Sequence, residues 1–398
     1  MERYDAAIIG AGLVGAAMAF DLNQAGQKVV VLEMAAETGA GASRTNSGIL
    51  HTGFDSKPGA LETALIRAQC ARWPALFEAL KIPYKVPGAV LLARNAEEAG
   101  KLEAIAANAA QNGVGVELLG EGKAKQLEPN LRSEAGLKVP GEAMTDPLAV
   151  TRGLLAGTEV RLSSMVLGIE EKGDWLEVST SSSKLQARFA VNCAGLYGDE
   201  FLGDPGFKII PRRGEFLVFP KETTRLINHI ILPVPNEFTK GILAFTTLHG
   251  HLIVGPTAEN QQDKTDWTPS PKGLQLLWQK AAELLPQLAS TRPVDAWAGL
   301  RPHGEPQTYR LEFSPAHPRL LHLAAIRSTG LSACLGISQY AVQMLQARDL
   351  LPFSPPVPGT SPLPHSPPPL LTPWWQSHNA LRGVNGVALV ESLHAPGD

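Results

Sequence analysis

The chain has 398 residues, of which 44% are hydrophobic and 18% are charged, and its formal net charge is −3. Such a chain can bury a core of ordinary size as one large domain or as two interleaved domains. The small net charge gives no reason to expect nucleic acid or an anionic membrane as a partner. The cysteines, Cys70, Cys193 and Cys334, lack CxxC spacing. We therefore expect no metal site, no disulfide framework and a location in the reducing cytoplasm.

The chain begins with a pattern of strand, helix and strand. The stretch YDAAIIGAG predicts a buried strand that runs into a glycine turn, a helix follows as far as Gly26, and QKVVVLEM predicts a second buried strand. The apolar run at residues 6–20 is shorter than the roughly 20 residues that a membrane span needs. No other segment is long and apolar enough, so we expect no transmembrane helix.

The turn after the first strand carries a dinucleotide-binding pattern. Gly10, Gly12 and Gly15 form GxGxxG, in which the glycines permit a tight turn, a close backbone approach to a pyrophosphate and close helix–strand packing. Glu33 stands at the end of the second strand, where a carboxylate can accept both ribose hydroxyls. An acid there suits FAD or NAD and disfavours the 2′-phosphate of NADP.

A polar, glycine-rich loop at residues 41–59, GASRTNSGILHTGFDSKPG, comes soon after this unit. It is too polar to belong to the core. FAD is longer than NAD, and its flavin end must be reached by loops from distant segments. We expect the first part of this loop to contact the pyrophosphate, the ribityl chain and the flavin edge, through Ser43, Arg44, Asn46, Ser47 and Gly48.

The rest of the chain alternates between two kinds of pattern. Elements of α/β type occur at the start, middle and end, and strand-rich blocks separate them. We predict FAD-binding segments at residues 1–82, 141–204 and 295–350, with a substrate domain built from residues 83–140 and 205–294. The remaining part, residues 351–398, is proline-rich near its start, and we predict a poorly ordered or surface-bound tail.

Several stretches, in order along residues 5–345, resemble the D-amino-acid-oxidase-type FAD oxidoreductases. They are AAIIGAGLVGAAMA, SRTNSGILHTGFDSKPGALETAL, VNCAGLYGDE, PRRGEFLVF, GHLIVGPTAENQQDKTD, AGLRP and IRSTGLSACLGISQYAV. The resemblance is to the branch of L-2-hydroxyglutarate oxidases and glycerol-3-phosphate dehydrogenases or oxidases. It implies an α/β fold with a Rossmann-type FAD-binding domain of discontinuous segments and an inserted antiparallel-sheet substrate domain.

The resemblance also implies a chemistry. These enzymes remove hydrogen from a carbon that bears a hydroxyl, pass hydride to the flavin and need a base for the proton. His51 is the expected base at the flavin face. Their substrates are anions, so a cation must hold the charged end: Arg327 is the first candidate, followed by Lys264, Arg301 and Arg213.

Further cofactor contacts are expected from three other places. Gly330, Leu331 and Ser332 open the last helix and offer N–H groups to the reduced flavin. Val166 supplies backbone contacts to the adenine, and Ala194 and Gly195 end a strand beside the pyrophosphate. Some relatives carry an additional cysteine-rich domain that this chain lacks, which leaves oxygen and a quinone both open as electron acceptor.

Two other interpretations stand beside the oxidation of a small hydroxylated anion. One is an amine or amino-acid oxidase of the same superfamily, against which NSGILH and DKTD favour the hydroxy branch. The other is a flavin-binding module that serves assembly, sensing or tRNA modification without catalysis. The expected location is the cytoplasm, and peripheral contact with a membrane is compatible with the sequence.

Overall fold

A computed structural model describes residues 1–200, 205–235, 241–305, 308–352 and 372–396. Its helices, in chain order, are α1 Leu13–Gln24, α2 Leu61–Leu80, α3 Ala96–Gln111, α4 Glu121–Leu127, α5 Pro147–Leu155, α6 Pro271–Leu284, α7 Gly330–Gln346, α8 Trp374–Arg382 and α9 Gly386–Glu391. Of the helices in these ranges, none has the length and apolarity that a membrane crossing requires.

The strands are numbered in chain order. They are β1 Glu2–Ile9, β2 Val29–Leu32, β3 Ile49–Leu50, β4 Tyr84–Lys85, β5 Ala89–Ala93, β6 Glu117–Gly120, β7 Ala135–Val139, β8 Ala143–Thr145, β9 Glu159–Arg161, β10 Val166–Lys172, β11 Trp175–Thr180, β12 Lys184–Asn192, β13 Lys208–Phe219, β14 Ile230–Pro233, β15 Leu243–Thr246, β16 Leu252–Gly255, β17 Glu259–Asn260, β18 Asp295–Glu305, β19 Arg310–Phe313 and β20 Leu320–Ala324.

The first sheet holds the predicted nucleotide-binding unit. Its order is β10–β11–β12–β1–β2–β9, with β20 beside β12 and β19 beside β20. The strands β9, β2, β1, β12 and β20 run parallel. The residues of β2 and the second half of β1 are fully buried, as expected for a parallel sheet covered on both faces. Helices α1 and α7 belong to the core that covers one face.

The second sheet has nine strands and contains a long antiparallel pair. Its order is β17–β13–β16–β15–β14–β5–β7–β6, and β18 pairs with β13 from Lys208↔Glu305 to Val218↔Asp295. We predicted that residues 295–305 belong to the FAD-binding part. The structure places them in the second sheet. The sequence did not distinguish the two positions, because a short apolar strand such as AWAGL suits a buried place in either sheet.

A small antiparallel sheet, β3–β8–β4, contributes to the hydrophobic cores of both large sheets. Leu50 and Ala143 belong to the core that contains α1 and α7, and Ile49 and Met144 belong to a core of the second sheet. Strand β3 lies within the polar loop, and its Ile49 pairs with Met144 of β8. Strand β4 comes from the first segment of the predicted substrate domain and pairs with the other edge of β8. The polar loop is therefore anchored at the junction of the two parts of the fold.

The C-terminal end contradicts the prediction of a poorly ordered or surface-bound tail. Trp374 and Trp375 of α8 are both 0% exposed. The ring of Trp375 stacks on Trp297 of β18 at 5.4 Å between centroids, and Asn379 donates to the carbonyl of Ala296 at 2.9 Å. Prolines disfavour helix and strand only at their own positions. The proline-rich stretch therefore gave no information about the two tryptophans that follow it. Residues 353–371 lie outside the described ranges.

Candidate active site

A cavity of about 400 Å³ opens where the parallel strands of the first sheet end. Gly10 and Gly12 line it at the start of α1, and Glu33 lines it at the end of β2. This is the position at which doubly wound sheets bind dinucleotides. We call it the cofactor cavity.

The glycine turn allows a ligand to approach the protein backbone closely. Gly10 has a φ of +103°, and a Cβ there would lie 2.5 Å from the carbonyl oxygen of Cys193. A Cβ on Gly12 would lie 2.8 Å from Oγ of Ser43. Gly15 does not line the cavity, but a side chain there would collide with the carbonyl of Gly10. Each predicted glycine is therefore required by the turn or by helix–strand packing.

Glu33 holds the turn while facing the cavity. Its Oε2 accepts from the N–H of Ala11 at 2.8 Å, and its Oε1 accepts from the N–H of Ala35 at 2.9 Å. A carboxylate can accept about four hydrogen bonds, so both oxygens retain acceptor capacity for ribose hydroxyls. Val166, for which adenine contacts were predicted, also lines the cavity.

Some residues of the polar loop line the cofactor cavity and others do not. Ser43 lines the cofactor cavity and its Oγ accepts from the N–H of Leu13 at 2.9 Å, while Asn46 also lines the cavity. Arg44 does not line it. Its side chain is 1% exposed, and its guanidinium pairs with Glu37 at 2.6 Å. Because a buried guanidinium needs such a partner, we assign Arg44 a structural role within the loop.

Two further predicted contacts are structural. Gly48 does not line the cofactor cavity; its φ is +82°, and a Cβ would lie 2.6 Å from the carbonyl of Thr145. Ser332 is buried, and its Oγ accepts from the N–H of His51 at 2.9 Å. Ser47 does not line the cofactor cavity either. The predicted contacts Ala194, Gly195, Gly330 and Leu331 do line it.

A second cavity of about 340 Å³ adjoins the first, and Ala42, Asn46 and Arg327 line both. We call it the substrate cavity. One face of the nine-stranded sheet forms a wall, and residues of the polar loop, including Ser47 and His51, form another.

Strand β13 contributes alternate residues to the sheet wall. Arg212, Gly214 and Phe216 line the substrate cavity, as the period of two in a strand requires. We predicted Arg213, but it does not line the cavity and pairs with Asp266 at 2.9 Å. In a strand, Arg212 lies on the same face as the apolar Phe216, whereas Arg213 lies on the opposite face. The sequence analysis did not use this alternation when it chose between the two adjacent arginines.

His51 has a carboxylate partner that the sequence analysis missed. Nδ1 of His51 lies 2.8 Å from Oε2 of Glu142, which is 0% exposed. Oε1 of Glu142 accepts from the N–H and the hydroxyl of Thr52, at 2.7 and 2.8 Å. Since an ionised carboxylate only accepts, Nδ1 of His51 carries the hydrogen and Nε2 of the neutral ring is the basic nitrogen.

Arg301 of β18 is a half-buried cation of the sheet wall. It lines the substrate cavity, and its guanidinium donates to the carbonyl of Thr257 at 3.2 Å. Solvent reaches it through the cavity, while burial and the like charge of Arg212 lower the pKa of Arg301 to about 10. It stays charged at neutral pH. Among the described residues, no carboxylate forms an ion pair with Arg301 or Arg212, so both favour an anion in the cavity.

Arg327, the first predicted anion-binding residue, lines both cavities but is already paired. Its guanidinium forms an ion pair with Glu62 and lies 5.9 Å from the ring centroid of Tyr309. Its φ is +55°, a rare backbone conformation for a side chain of this size, and its N–H donates to the carbonyl of Pro302 at 3.1 Å. The turn after β20 therefore presents Arg327 at the junction of the cavities.

Lys264 does not reach either cavity. Its Nζ lies 2.7 Å from a carboxylate oxygen of Asp199 and 2.6 Å from one of Glu200. Two carboxylates satisfy this cation, so the structure gives no support to Lys264 as an anion-binding residue. A lysine in a loop sequence shows its charge but not its partners, which come from a segment more than sixty residues away.

The glycine that follows Arg213 offers a mild test of the Arg301 position. A Cβ on Gly214 would collide with the guanidinium of Arg301, which is the flexible end of a long side chain. We expect Gly214→Ala to fold normally, to bind FAD normally and to raise the substrate KM, because the guanidinium must shift. Steady-state kinetics and a thermal melt will check this. An unchanged KM would show that Arg301 does not touch the substrate.

Glu142→Gln tests the partner of His51. The amide has one acceptor oxygen in place of two, so its NH2 group must face either the imidazole or the donors of Thr52. We expect flavin reduction to slow by about tenfold or more and stability to fall by about 1–3 kcal/mol, the cost of an unsatisfied buried group. Rapid-mixing reduction kinetics and melting curves measure the two effects. A loss of stability with normal reduction would limit Glu142 to a structural role.

The glycine turn, the parallel sheet and the cavity at its strand ends define a class of protein, the dinucleotide-binding proteins, and a second cavity beside a separate sheet adjoins that site. The family model for FAD dependent oxidoreductases of the DAO type matches residues 5–344, so the chain belongs to that family. The predicted family, fold class and FAD cofactor are confirmed, and the protein is an FAD-dependent oxidoreductase.

Relatives with established names span most of the chain. The sequence is 30% identical to glycerol 3-phosphate dehydrogenase of Caloramator mitchellensis over 86% of this chain and 74% of the relative. It is 27% identical to glycerol 3-phosphate oxidase of Mycoplasma genitalium over 87% of this chain and 96% of the relative. L-2-hydroxyglutarate dehydrogenase of Escherichia coli (strain K12) is 28% identical over 64% of each chain.

Among solved structures, the dithionite-reduced L-α-glycerophosphate oxidase of Mycoplasma pneumoniae with FAD bound has the same fold. Its TM-score is 0.81 at 24% identity, over 87% of this chain and 95% of that chain. The residues of this chain suit the same cofactor. The glycine turn would be filled by any side chain. Ser43 accepts the N–H of Leu13, and among the described residues no side chain accepts the N–H groups of Val14 and Gly15, which are left for a phosphate.

Proposed function

We propose that the protein oxidises the CH–OH carbon of a small hydroxylated anion, with glycerol 3-phosphate as the first candidate. One observation carries this proposal: His51, with its buried carboxylate partner, shares a cavity with Arg301 and Arg212, for which the described residues supply no carboxylate. The names of two relatives that match most of this chain, glycerol 3-phosphate dehydrogenase and glycerol 3-phosphate oxidase, support the same choice.

His51 would take the hydroxyl proton of the substrate at Nε2. Glu142 accepts the hydrogen of Nδ1, holds the ring in one tautomer and would stabilise the positive charge that forms on it. Bound FAD would supply the acceptor for the hydrogen and the two electrons that leave the carbon. Because Asn46 lines both cavities, the reacting carbon would lie close to their junction.

The cations of the sheet wall would hold the charged end of the substrate. A guanidinium presents a planar fork of donors that matches phosphate and carboxylate oxygens. Arg301 and Arg212 are cross-strand partners in the β13–β18 pair and both line the cavity. The neighbouring apolar side chains of Phe216, Leu243 and Phe245 restrict the cavity to a small molecule.

L-2-hydroxyglutarate is a second candidate because the cations stand on two walls. Arg301 and Arg212 belong to the sheet, whereas Arg327 follows β20 on the other side of the fold. A substrate with carboxylates at both ends would use both sets, while glycerol 3-phosphate has a single charged end. The relatives named L-2-hydroxyglutarate dehydrogenase support this alternative.

An anaerobic titration of the purified holoenzyme tests the proposal. The flavin absorbance is followed while glycerol 3-phosphate, L-2-hydroxyglutarate, L-lactate and a panel of amino acids are added separately. Bleaching by one hydroxylated anion supports the proposal and names the substrate. Bleaching by amino acids alone would establish the amine-oxidase alternative, and no bleaching by any of them would contradict the proposal.

Reoxidation of the bleached enzyme identifies the electron acceptor. We propose oxygen or a quinone as the acceptor. The reduced enzyme is mixed with oxygen in one experiment and with a water-soluble quinone under nitrogen in another. Fast return of the absorbance with oxygen identifies an oxidase, and fast return with the quinone alone identifies a dehydrogenase.

A further inference from the structure

Residues 372–396, which we call the C-terminal segment, pack into the body of the protein beside the cofactor cavity. The two buried tryptophans of α8 anchor it: Trp375 stacks on Trp297, and the ring of Trp374 lies against the polar loop at Gly48. Asn379 adds a hydrogen bond to the backbone of β18. These contacts fix the position of the last residue of α8, Arg382.

Arg382 lines the cofactor cavity. Its guanidinium donates to the carbonyl of Ala40 at 3.0 Å and lies 4.6 Å from the ring centroid of Trp267, which lines the same cavity. The stacking holds the guanidinium plane while its remaining N–H donors stay available. An arginine so held is prepared to meet a planar or tetrahedral anion.

The charges around Arg382 leave it without a compensating carboxylate. Within the described ranges no ion pair involves Arg382, although Glu200 lines the same cavity. Glu200 is taken by Lys264 at 2.6 Å.

The place of Arg382 indicates which part of FAD it meets. Its acceptor Ala40 stands three residues before Ser43, whose Oγ receives the first N–H of α1. The start of α1 and Arg382 thus flank the same short stretch of loop. Among the residues that the structure describes, the other cation lining this cavity is Arg327, which also lines the substrate cavity and is paired with Glu62. The helix N-terminus alone offers only about half a positive charge.

We propose that Arg382 binds the diphosphate of FAD, so that the C-terminal segment forms a wall of the cofactor site. The proposal concerns the cofactor and does not depend on which substrate the enzyme oxidises. It also gives the C-terminal segment a role that the family match, which ends at residue 344, does not cover.

The test measures FAD affinity in the absence of any substrate. Apoprotein of wild type, Arg382→Gln and Arg382→Lys is titrated with FAD, and flavin fluorescence is followed over a range of salt concentrations. We expect Arg382→Gln to raise the Kd for FAD about tenfold to a hundredfold, the scale of one charged hydrogen-bonding contact. The salt dependence of binding should fall, and Arg382→Lys should recover part of both effects.

Riboflavin and a distant arginine provide the controls. Riboflavin has no diphosphate, so its affinity should be equal in wild type and Arg382→Gln. Arg225 is an exposed arginine outside both cavities, and Arg225→Gln should bind FAD like wild type. An unchanged FAD affinity in Arg382→Gln would overturn the proposal. So would equal losses of FAD and riboflavin affinity, which would show that Arg382 only supports packing.

Discussion

His51→Ala is expected to retain FAD and to slow flavin reduction by glycerol 3-phosphate about a hundredfold or more, the usual scale for loss of a general base. The reason is positional as well as chemical. His51 lines the substrate cavity, its backbone N–H is bound by Ser332, and its ring is oriented by Glu142. Without the imidazole, the hydroxyl proton has no acceptor held at that place. Rapid mixing under nitrogen measures the reduction rate directly.

The control for this variant is His394→Ala, which removes an exposed histidine near the C-terminus. It should reduce at the wild-type rate. The ratio of flavin to protein after purification shows whether FAD is retained in both variants. If His51→Ala kept FAD and was reduced as fast as wild type, another group would have to take the proton, and the role of the Glu142 pair would be structural.

Local signals made the cofactor site predictable from the sequence. The glycine turn and Glu33 belong to one strand–helix–strand unit, in which spacing along the chain fixes position in space. Ser43 and Asn46 follow within the same stretch and line the cofactor cavity. Arg44, Ser47 and Gly48 of this loop do not line the cavity. For Arg44, the direction of the side chain depends on its partner Glu37, which only the fold brings to it.

The parts that escaped prediction depend on contacts between distant segments. Glu142 meets His51 across 91 residues of sequence, and no periodicity marks it. Strand β18 shows the same apolar composition that either sheet would accept. Trp374 and Trp375 follow a proline-rich stretch, and only the fold shows that Trp375 stacks on Trp297. The choice of Arg213 over Arg212 was an error of a different kind. The position of Phe216 could have shown which face of the strand is directed to the cavity.

Arg301→Met is expected to raise the KM for the anionic substrate about tenfold to a hundredfold while FAD stays bound. Methionine fills much of the volume of the arginine stem but carries no charge, so the substrate anion would lose its charged hydrogen bonds. The reduction rate at saturating substrate should change far less than the KM, because the base and the cofactor are untouched. This split between binding and rate is measured by reduction kinetics over a range of substrate concentrations.

Comparison with Arg327→Met then separates the two cations. Arg327 is already paired with Glu62, and its removal leaves that carboxylate near the junction of the cavities, where it would repel an anion. A substrate with one charged end held by the sheet wall depends more on Arg301, whereas a substrate with two carboxylates loses a contact in either variant. Arg213→Met, which alters the opposite face of β13, should leave the KM unchanged. A normal KM in Arg301→Met would remove this arginine from the site and leave Arg212 and Arg327 to hold the anion.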